Sequence, residues 1–286
     1  MNWTKFEKEL EKAIFSGKHI TFLVGAGLSV ESRIPTFRGK EGFWKIGSKN
    51  YKGPEIGTFR MFNLNAIEVW KWFLFRKTIC RKAEPNRGHF ILKEIEDLLG
   101  DQFALVSQNV DSLHKKAGNS AERTYLVHGD LDYARCGNEC SDTLYPFPEL
   151  EDKTRESDIS LEEEKLLMCP KCGEYLRPHV LWFDETYNEE YYKIYTVTEI
   201  ADNSSMLFII GTSGSTFIPG HLIDRVSHFN QPILDINIAD SEYSYFIKDY
   251  SEGYEARETS TEALEKVLAI IKKIKHENGK ILRTTK

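Results

Sequence analysis

The sequence predicts an α/β fold, a parallel sheet with helices on both faces, interrupted near its middle by a small cysteine-bearing module. Three observations predict it. Apolar, β-branched or aromatic runs at 20–24, 103–107, 125–128, 206–211 and 232–238 each end at a polar or glycine-containing turn. Runs that are apolar on both faces suit buried parallel strands, and ligands of such sheets gather at the carboxyl ends of the strands. Four of the five cysteines fall between residues 136 and 172, where the pattern of runs breaks off.

Residues 4–15 place Phe6, Leu10, Ala13 and Ile14 at helical spacing and stop near Gly17, which predicts a helix packed on the sheet. The run 20–24 then leads into Gly25-Ala26-Gly27-Leu28-Ser29. A strand followed by a glycine pair reads as a phosphate loop, because the backbone turns sharply, approaches a pyrophosphate and presents the amides and dipole of the next helix. A Rossmann-like nucleotide domain is therefore expected. Three residues after Gly27 stands Val30, where the dehydrogenase fingerprint has its third glycine, so ordinary hydride transfer is disfavoured.

After the run 103–107 comes Gln108-Asn109-Val110-Asp111, which puts amide and carboxylate groups where a ribose or a carboxamide would be held, or else caps a helix. His128 closes the run 125–128 in Val127-His128-Gly129, and its proton affinity suits general-base work. Cys136 and Cys140, then Cys169 and Cys172, form two knuckles that would place four thiolates around one tetrahedral zinc. Four sulfur ligands leave no open position, so such a metal is structural. Cys80 stands outside this group and reads as a small core residue. The acidic stretch 149–164 reads as a solvated surface.

Thr259-Ser260-Thr261-Glu262 has capping-box spacing and opens a helix carrying Leu264, Val267, Leu268, Ile271 and Ile274 on one face, with a frayed polar tail from 278 to 286. The expected division is a Rossmann-like part at 1–130 and 175–286, a zinc-ribbon insert at 131–174, and a further helical insertion at about 40–85.

The chain has 286 residues, 41% hydrophobic and 29% charged, with no apolar run long enough to cross a bilayer. Its first residues lack the apolar core of a secretory signal and carry acids that a transit peptide avoids, so a cytoplasmic address is expected. The formal net charge of −6 opposes general binding to nucleic acid. A monomer is expected.

With Ile34-Pro35-Thr36-Phe37-Arg38-Gly39 close behind the glycine pair, and the 108–118, 128 and 176–185 segments following in order, the chain resembles the sirtuin family of NAD-consuming protein deacylases over roughly residues 20–237. The resemblance implies the sirtuin fold, with NAD as co-substrate and one structural zinc. It implies that Gly25, Ala26, Gly27, Ser29, Ile34, Phe37 and Arg38 bind NAD. Gln108 and Asn109 would meet the nicotinamide-side ribose, and Asp111 with Ile34 the carboxamide. Gly211, Thr212, Ser213 and Asn237 would hold the adenosine ribose and phosphates. His128 falls at the catalytic histidine. In the implied reaction the acyl oxygen of an acylated lysine displaces nicotinamide and the histidine deprotonates a ribose hydroxyl, giving free lysine and O-acyl-ADP-ribose.

The resemblance further makes 176–185 the substrate segment, with Leu181 and Phe183 lining the acyl-lysine channel and adjoining backbone pairing with a peptide. Asp184 stands where the family has glycine, and its charge is expected to favour basic peptides. Thr36, Gly57 and Gly88-His89 place the chain nearest the branch that removes acidic acyl groups. Arg76 matches that branch's carboxylate-gripping arginine, whereas Phe73 stands in place of its tyrosine, so a broad or weakly acidic acyl preference is expected. A sirtuin-like mono-ADP-ribosyltransferase or NAD hydrolase is the alternative reading, and a silent sensor of NAD or acyl-lysine a third.

Overall fold

Nine strands form two sheets in this computed structural model, which describes residues 1–38 and 42–284. They are β1 (His19–Val24), β2 (Phe103–Ser107), β3 (Thr124–Leu126), β4 (Gly129–Cys136), β5 (Tyr145–Pro146), β6 (Leu176–Val180), β7 (Ser204–Ile210), β8 (Ile233–Ile236) and β9 (Gly253–Ala256). The larger sheet runs β3-β2-β1-β7-β8-β9, with every neighbouring pair parallel.

Strand β1 lies at its centre, with Phe22 opposite Leu105 on β2 and Phe208 on β7. All residues of β2 and β7 are buried, as their continuous apolar sequences require. Side chains still alternate between faces. Ile20, Phe22 and Val24 join one core and Leu23 the other. Phe22 stacks between Phe208 (4.5 Å between centroids) and Phe103 (5.1 Å). Helices Trp3–Phe15, Arg87–Leu99 and Ser260–Thr284 contribute Phe6, Leu92 and Leu264 to that face. Helices Ile194–Asp202 and Phe217–His228 cover the opposite face with Val197 and Leu222.

The helix signals in the sequence are met by specific caps. Asn2 accepts from the Lys5 amide at 3.1 Å to start the first helix. Thr259 Oγ1 accepts from the Glu262 amide at 3.3 Å, and the Glu262 carboxylate accepts from the Thr259 amide at 3.1 Å. The last helix runs on to Thr284, past the point at 278 where the tail was expected to fray, since no proline interrupts it. Residues 285 and 286 lie outside the described residues, as do 39–41, which include the end of the motif at Gly39 and the start of the helical insertion.

The second sheet, ordered β5-β4-β6, is antiparallel. It extends past the 131–174 limits at both ends, since β4 opens at Gly129 and β6 closes at Val180. Gly129 adopts φ +88°, and a Cβ there would lie 2.1 Å from the His179 carbonyl oxygen, so only glycine lets the chain pass from one sheet to the other. Helix Ala66–Lys82 presses Trp70, Trp72 and Phe73 into a separate core with Leu131, Leu176 and Trp182, and Trp70 Nε1 donates to the Leu176 carbonyl at 2.7 Å. The acidic stretch lies at the surface as expected, with none of residues 149–164 buried, and two of its acids make surface ion pairs with helix Ala66–Lys82. Asp158 pairs with Lys71 at 2.8 Å and Asp152 with Lys82 at 2.9 Å, strapping it to that helix. Cys80 is buried, as a core residue should be. Among the described residues no helix is long and apolar enough to cross a membrane.

Because Phe22 joins three strands, Phe22→Ala should cost about 3–5 kcal/mol. Denaturant unfolding checks this against Phe15→Ala, where the ring is 58% exposed and a change within about 0.5 kcal/mol is expected.

Candidate active site

The carboxyl ends of β1, β2, β7 and β8 open onto a cavity of about 700 Å³. The loop after β1 forms its floor. Neither Gly25 nor Gly27 has a positive φ, so the glycines are not required by the turn itself. A Cβ at Gly25 would lie 2.7 Å from Thr212 Cβ, and one at Gly27 2.7 Å from Gly211 Cα. The glycine pair therefore admits the loop after β7, and the Gly27 amide donates to the Gly211 carbonyl at 2.7 Å. Residues 26–32 form the helix expected after the glycine pair, as a 3-10 helix.

Two amides from the segment after β2 lock these loops together. Gln108 Nε2 donates to the Val24 carbonyl (3.3 Å) and to Thr212 Oγ1 (3.1 Å), while its Oε1 accepts from Thr216 Oγ1 (2.7 Å). Asn109 Nδ2 donates to the Gly25 carbonyl (3.1 Å) and to Ser29 Oγ (3.2 Å). Ser29 in turn donates to Asp111 Oδ2 at 2.7 Å, and Asp111 Oδ1 accepts from the Leu113 amide at 3.0 Å. Burial pushes the Asp111 carboxyl above its ordinary range.

Of the NAD-binding residues expected from the sequence, Gly25, Ala26, Gly27, Phe37, Arg38, Gln108, Asn109, Gly211, Ser213 and Asn237 line the cavity. Ser29, Ile34 and Asp111 are buried just behind its wall. Asn237 donates to Asp235, which is wholly buried at the end of β8 and paired with Arg257 at 3.2 Å.

His128 stands where the two sheets meet. Its Nδ1 lies 2.9 Å from the Gln108 carbonyl oxygen and its Nε2 2.8 Å from the Tyr187 hydroxyl, while its own carbonyl accepts from the Leu181 amide at 3.0 Å. A carbonyl only accepts, so Nδ1 carries the proton and Nε2 the lone pair. Burial pulls the imidazole down from 6.5 to about 4 and keeps it neutral at pH 7.

The 176–185 segment is braced from behind. Arg177, wholly buried, makes a two-pronged ion pair with Glu185, with Nη2 to Oε2 at 2.7 Å, and lies 3.6 Å over the Trp182 ring. Leu181 and Phe183 line the cavity, Phe183 being 51% exposed. A Cβ at Gly57 would lie 2.9 Å from the Phe183 ring, so the small residue there seats that phenylalanine. Asp184 is exposed and also has structural partners. Its carboxylate accepts from the Phe59 (2.7 Å) and Arg60 (3.0 Å) amides at the first turn of helix Phe59–Leu64. The carboxylate ties the helical insertion to the 176–185 segment.

At the inner end of the cavity Arg76 is only 4% exposed. Its guanidinium carbon lies 4.9 Å from the Phe37 and Trp72 ring centroids, 5.0 Å from Phe43 and 5.4 Å from Phe73. Its Nε has no hydrogen-bond partner, and no carboxylate among the described residues pairs with it. Burial lowers its pKa from 12.5 to about 10, which leaves it charged at neutrality. Sequence reasoning missed Tyr187, Trp72, Thr216 and Phe217 among the lining residues. The aromatic run 70–75 was the one signal for Trp72.

Beside the cavity, the sulfur atoms of Cys136, Cys140, Cys169 and Cys172 all lie within 4.8 Å of one another. The Cys136–Cys172 and Cys140–Cys169 separations are 3.5 and 3.7 Å. Tetrahedral zinc with sulfur at about 2.3 Å separates its ligands by roughly 3.8 Å, so the donor set fits.

These features define a doubly wound α/β protein with its ligand cavity at the strand ends and a four-cysteine module alongside. The chain belongs to the Sir2 family, whose model matches residues 25–217. An NAD-dependent protein deacylase of Leptospira interrogans is 33% identical over 237 residues, covering 82% of this chain and 87% of the relative. One of the same description from Aquifex aeolicus is 33% identical over 222 residues, covering 77% and 83%. Among solved structures, a Sir2 homologue in complex with NAD superposes with a TM-score of 0.75 at 28% identity, covering 94% of each chain. A Sir2 homologue variant in complex with ADP-ribose gives 0.76 at 27%, covering 94% and 96%.

Two outcomes follow. Atomic emission should find one zinc per chain, and replacing Cys169 and Cys172 together by serine should remove it and lower the unfolding temperature. Acid should also destabilise the protein in a defined window. His89, His114, His128 and His179 are held by burial near 2, 4, 4 and 4, while the unfolded imidazoles titrate near 6.5. The unfolded state therefore takes up more protons below pH 6.5, so the unfolding temperature should be flat above that pH and fall from 6.5 towards 4.

Proposed function

We propose that this chain is an NAD-dependent protein lysine deacylase, with NAD as co-substrate, and that His128 is its general base. The observation that carries the reading is the placement of His128. A neutral imidazole with its lone pair on Nε2 faces the one cavity that the glycine loop and the substrate segment share. NAD supplies the anomeric carbon from which nicotinamide leaves.

The chain's residues do the rest. The 25–38 loop, Gln108 and Asn109 position the nicotinamide-side ribose, with Asp111 and Ile34 behind them at the carboxamide. Gly211, Ser213 and Asn237 hold the adenosine side. Leu181 and Phe183 guide the acyl-lysine from the cleft between the Rossmann-like part (1–130 and 175–286) and the inserted module (131–174), and His128 Nε2 takes the proton of the ribose hydroxyl. Zinc at the four cysteines would stabilise the module and takes no part in the reaction. The same reading has the enzyme act in the cytoplasm as a monomer on acylated proteins, away from nucleic acid and membranes. The net charge of −6 supports that preference.

Arg76 and its rings support a broad acyl preference with a weak acidic bias. A charged guanidinium that lines the cavity without a carboxylate partner among the described residues offers a pairing to an acyl carboxylate, while Phe73 brings no hydroxyl and the surrounding rings suit an apolar chain.

Incubation with NAD and acetyl-, butyryl- and succinyl-lysine peptides should release nicotinamide together with the acyl mass, and His128→Ala should abolish both peptide deacylation and product formation. Arg76→Met should lower kcat/KM for the succinyl peptide about ten- to a hundred-fold, the weight of one charged hydrogen bond, and leave butyryl turnover within about threefold. Nicotinamide release without loss of the acyl mass would instead indicate ADP-ribosyl transfer or NAD hydrolysis.

A further inference from the structure

Tyr187 follows the substrate segment and stands between two walls of the cavity. Its hydroxyl is 2.8 Å from His128 Nε2. Its ring packs at 5.7 Å against Phe217, which follows the loop after β7, and edge-on at 6.5 Å against Tyr192. The Gln108 carbonyl fixes the proton of His128 on Nδ1, so Nε2 can only accept and the phenol must donate to it. Burial raises the phenol above its ordinary range, which keeps it a protonated donor. The one basic nitrogen of the base is thus already engaged, and a single in-plane lone pair takes one strong donor at a time.

We propose that Tyr187 is the positioning partner of His128, its phenol capping Nε2 in the ligand-free enzyme until the ribose hydroxyl displaces it. The inference rests on the reading of His128 as the base. With Nδ1 tied to Gln108 and Nε2 to Tyr187, the imidazole is pinned at both ends and cannot flip. On displacement the phenol leaves with its own proton. The ribose O–H bond then breaks in favour of a new N–H bond at Nε2, and Tyr187 is chemically unchanged. Only Thr186 separates Tyr187 from Glu185, the carboxylate that anchors this segment to Arg177. The position of the cap is therefore set by the same stretch of chain that receives the acyl-lysine.

Nitrogen NMR of the full chain carrying labelled histidine tests the cap, with the His128 signals assigned by their absence in His128→Ala. Tyr187→Phe keeps the ring packed on Phe217 and Tyr192. It should move the Nε2 resonance downfield, towards an unbonded ring nitrogen, and leave Nδ1 in place. Removing the competitor should also raise kcat/KM for NAD about fivefold through KM with kcat unchanged, the weight of one neutral hydrogen bond. An unmoved Nε2 resonance, or a kcat/KM for NAD that stays level or falls, overturns the proposal. A lower kcat at unchanged KM overturns it too, since the phenol would then be relaying the proton. If His128→Ala itself remains active in deacylation, the assignment of the base has failed, and that outcome is separate from any result with Tyr187→Phe.

Discussion

The closeness of two loops governs this structure. Strands β1 and β7 are parallel neighbours, so the loops that leave them meet at one end of the sheet, and Gly25, Gly27 and Gly211 let their backbones touch. Contact of this kind needs atoms missing, not atoms added. A methyl group at either position of the glycine pair would overlap the opposite loop by about an ångström, and the hydrogen bond from Gly27 to Gly211 would be the first to open. Gln108 and Asn109 reach across this junction to bond the Val24 and Gly25 carbonyls and Thr212. Their positions, and through Gln108 the position of the His128 imidazole, are inherited from it.

The second sheet supplies the other half of the site, and His128 belongs to both. Its side chain is held by the loop after β2 and its carbonyl by Leu181, just beyond β6. Behind Leu181 the Arg177–Glu185 pair, buried and stacked on Trp182, fixes the path of the segment. Removing Glu185 would leave the wholly buried Arg177 guanidinium without its carboxylate, whereas Glu185 also has Arg135 at 3.7 Å. Asp184 extends this bracing outward by capping the short helix that begins at Phe59. The 176–185 segment is thereby tied on one side to the main sheet and on the other to the helical insertion.

What could be read from the sequence follows from this division. Strands β1, β2, β7 and β8 were legible because each is a continuous apolar run, and the four cysteines because metal-ligand spacing is a local signal. The 253–256 strand was not, since four residues with only Tyr254 and Ala256 buried carry too short an alternation to stand out. The glycine pair was legible as a site but not in its cause, because the atoms it makes room for lie more than 180 residues away at Gly211 and Thr212. Asp184 and Tyr187 show the same limit. Each is an ordinary loop residue by composition, and its role comes from partners, the Phe59 amide and the His128 ring, that only the folded chain brings near.

One physical cause then yields two opposite chemical states in a single cavity. Burial removes water from Arg76 and from His128 alike, and in both it lowers the pKa by penalising the cation. The guanidinium starts at 12.5 and falls to about 10, still well above neutrality, so it stays charged among the faces of four rings. The imidazole starts at 6.5 and falls to about 4, so it stays neutral with its lone pair intact. No acidic partner is needed for either outcome. The cavity thus holds a fixed positive charge at its aromatic end and a neutral imidazole where the two sheets meet. A carboxylate beside the imidazole would have raised its pKa and favoured the protonated form.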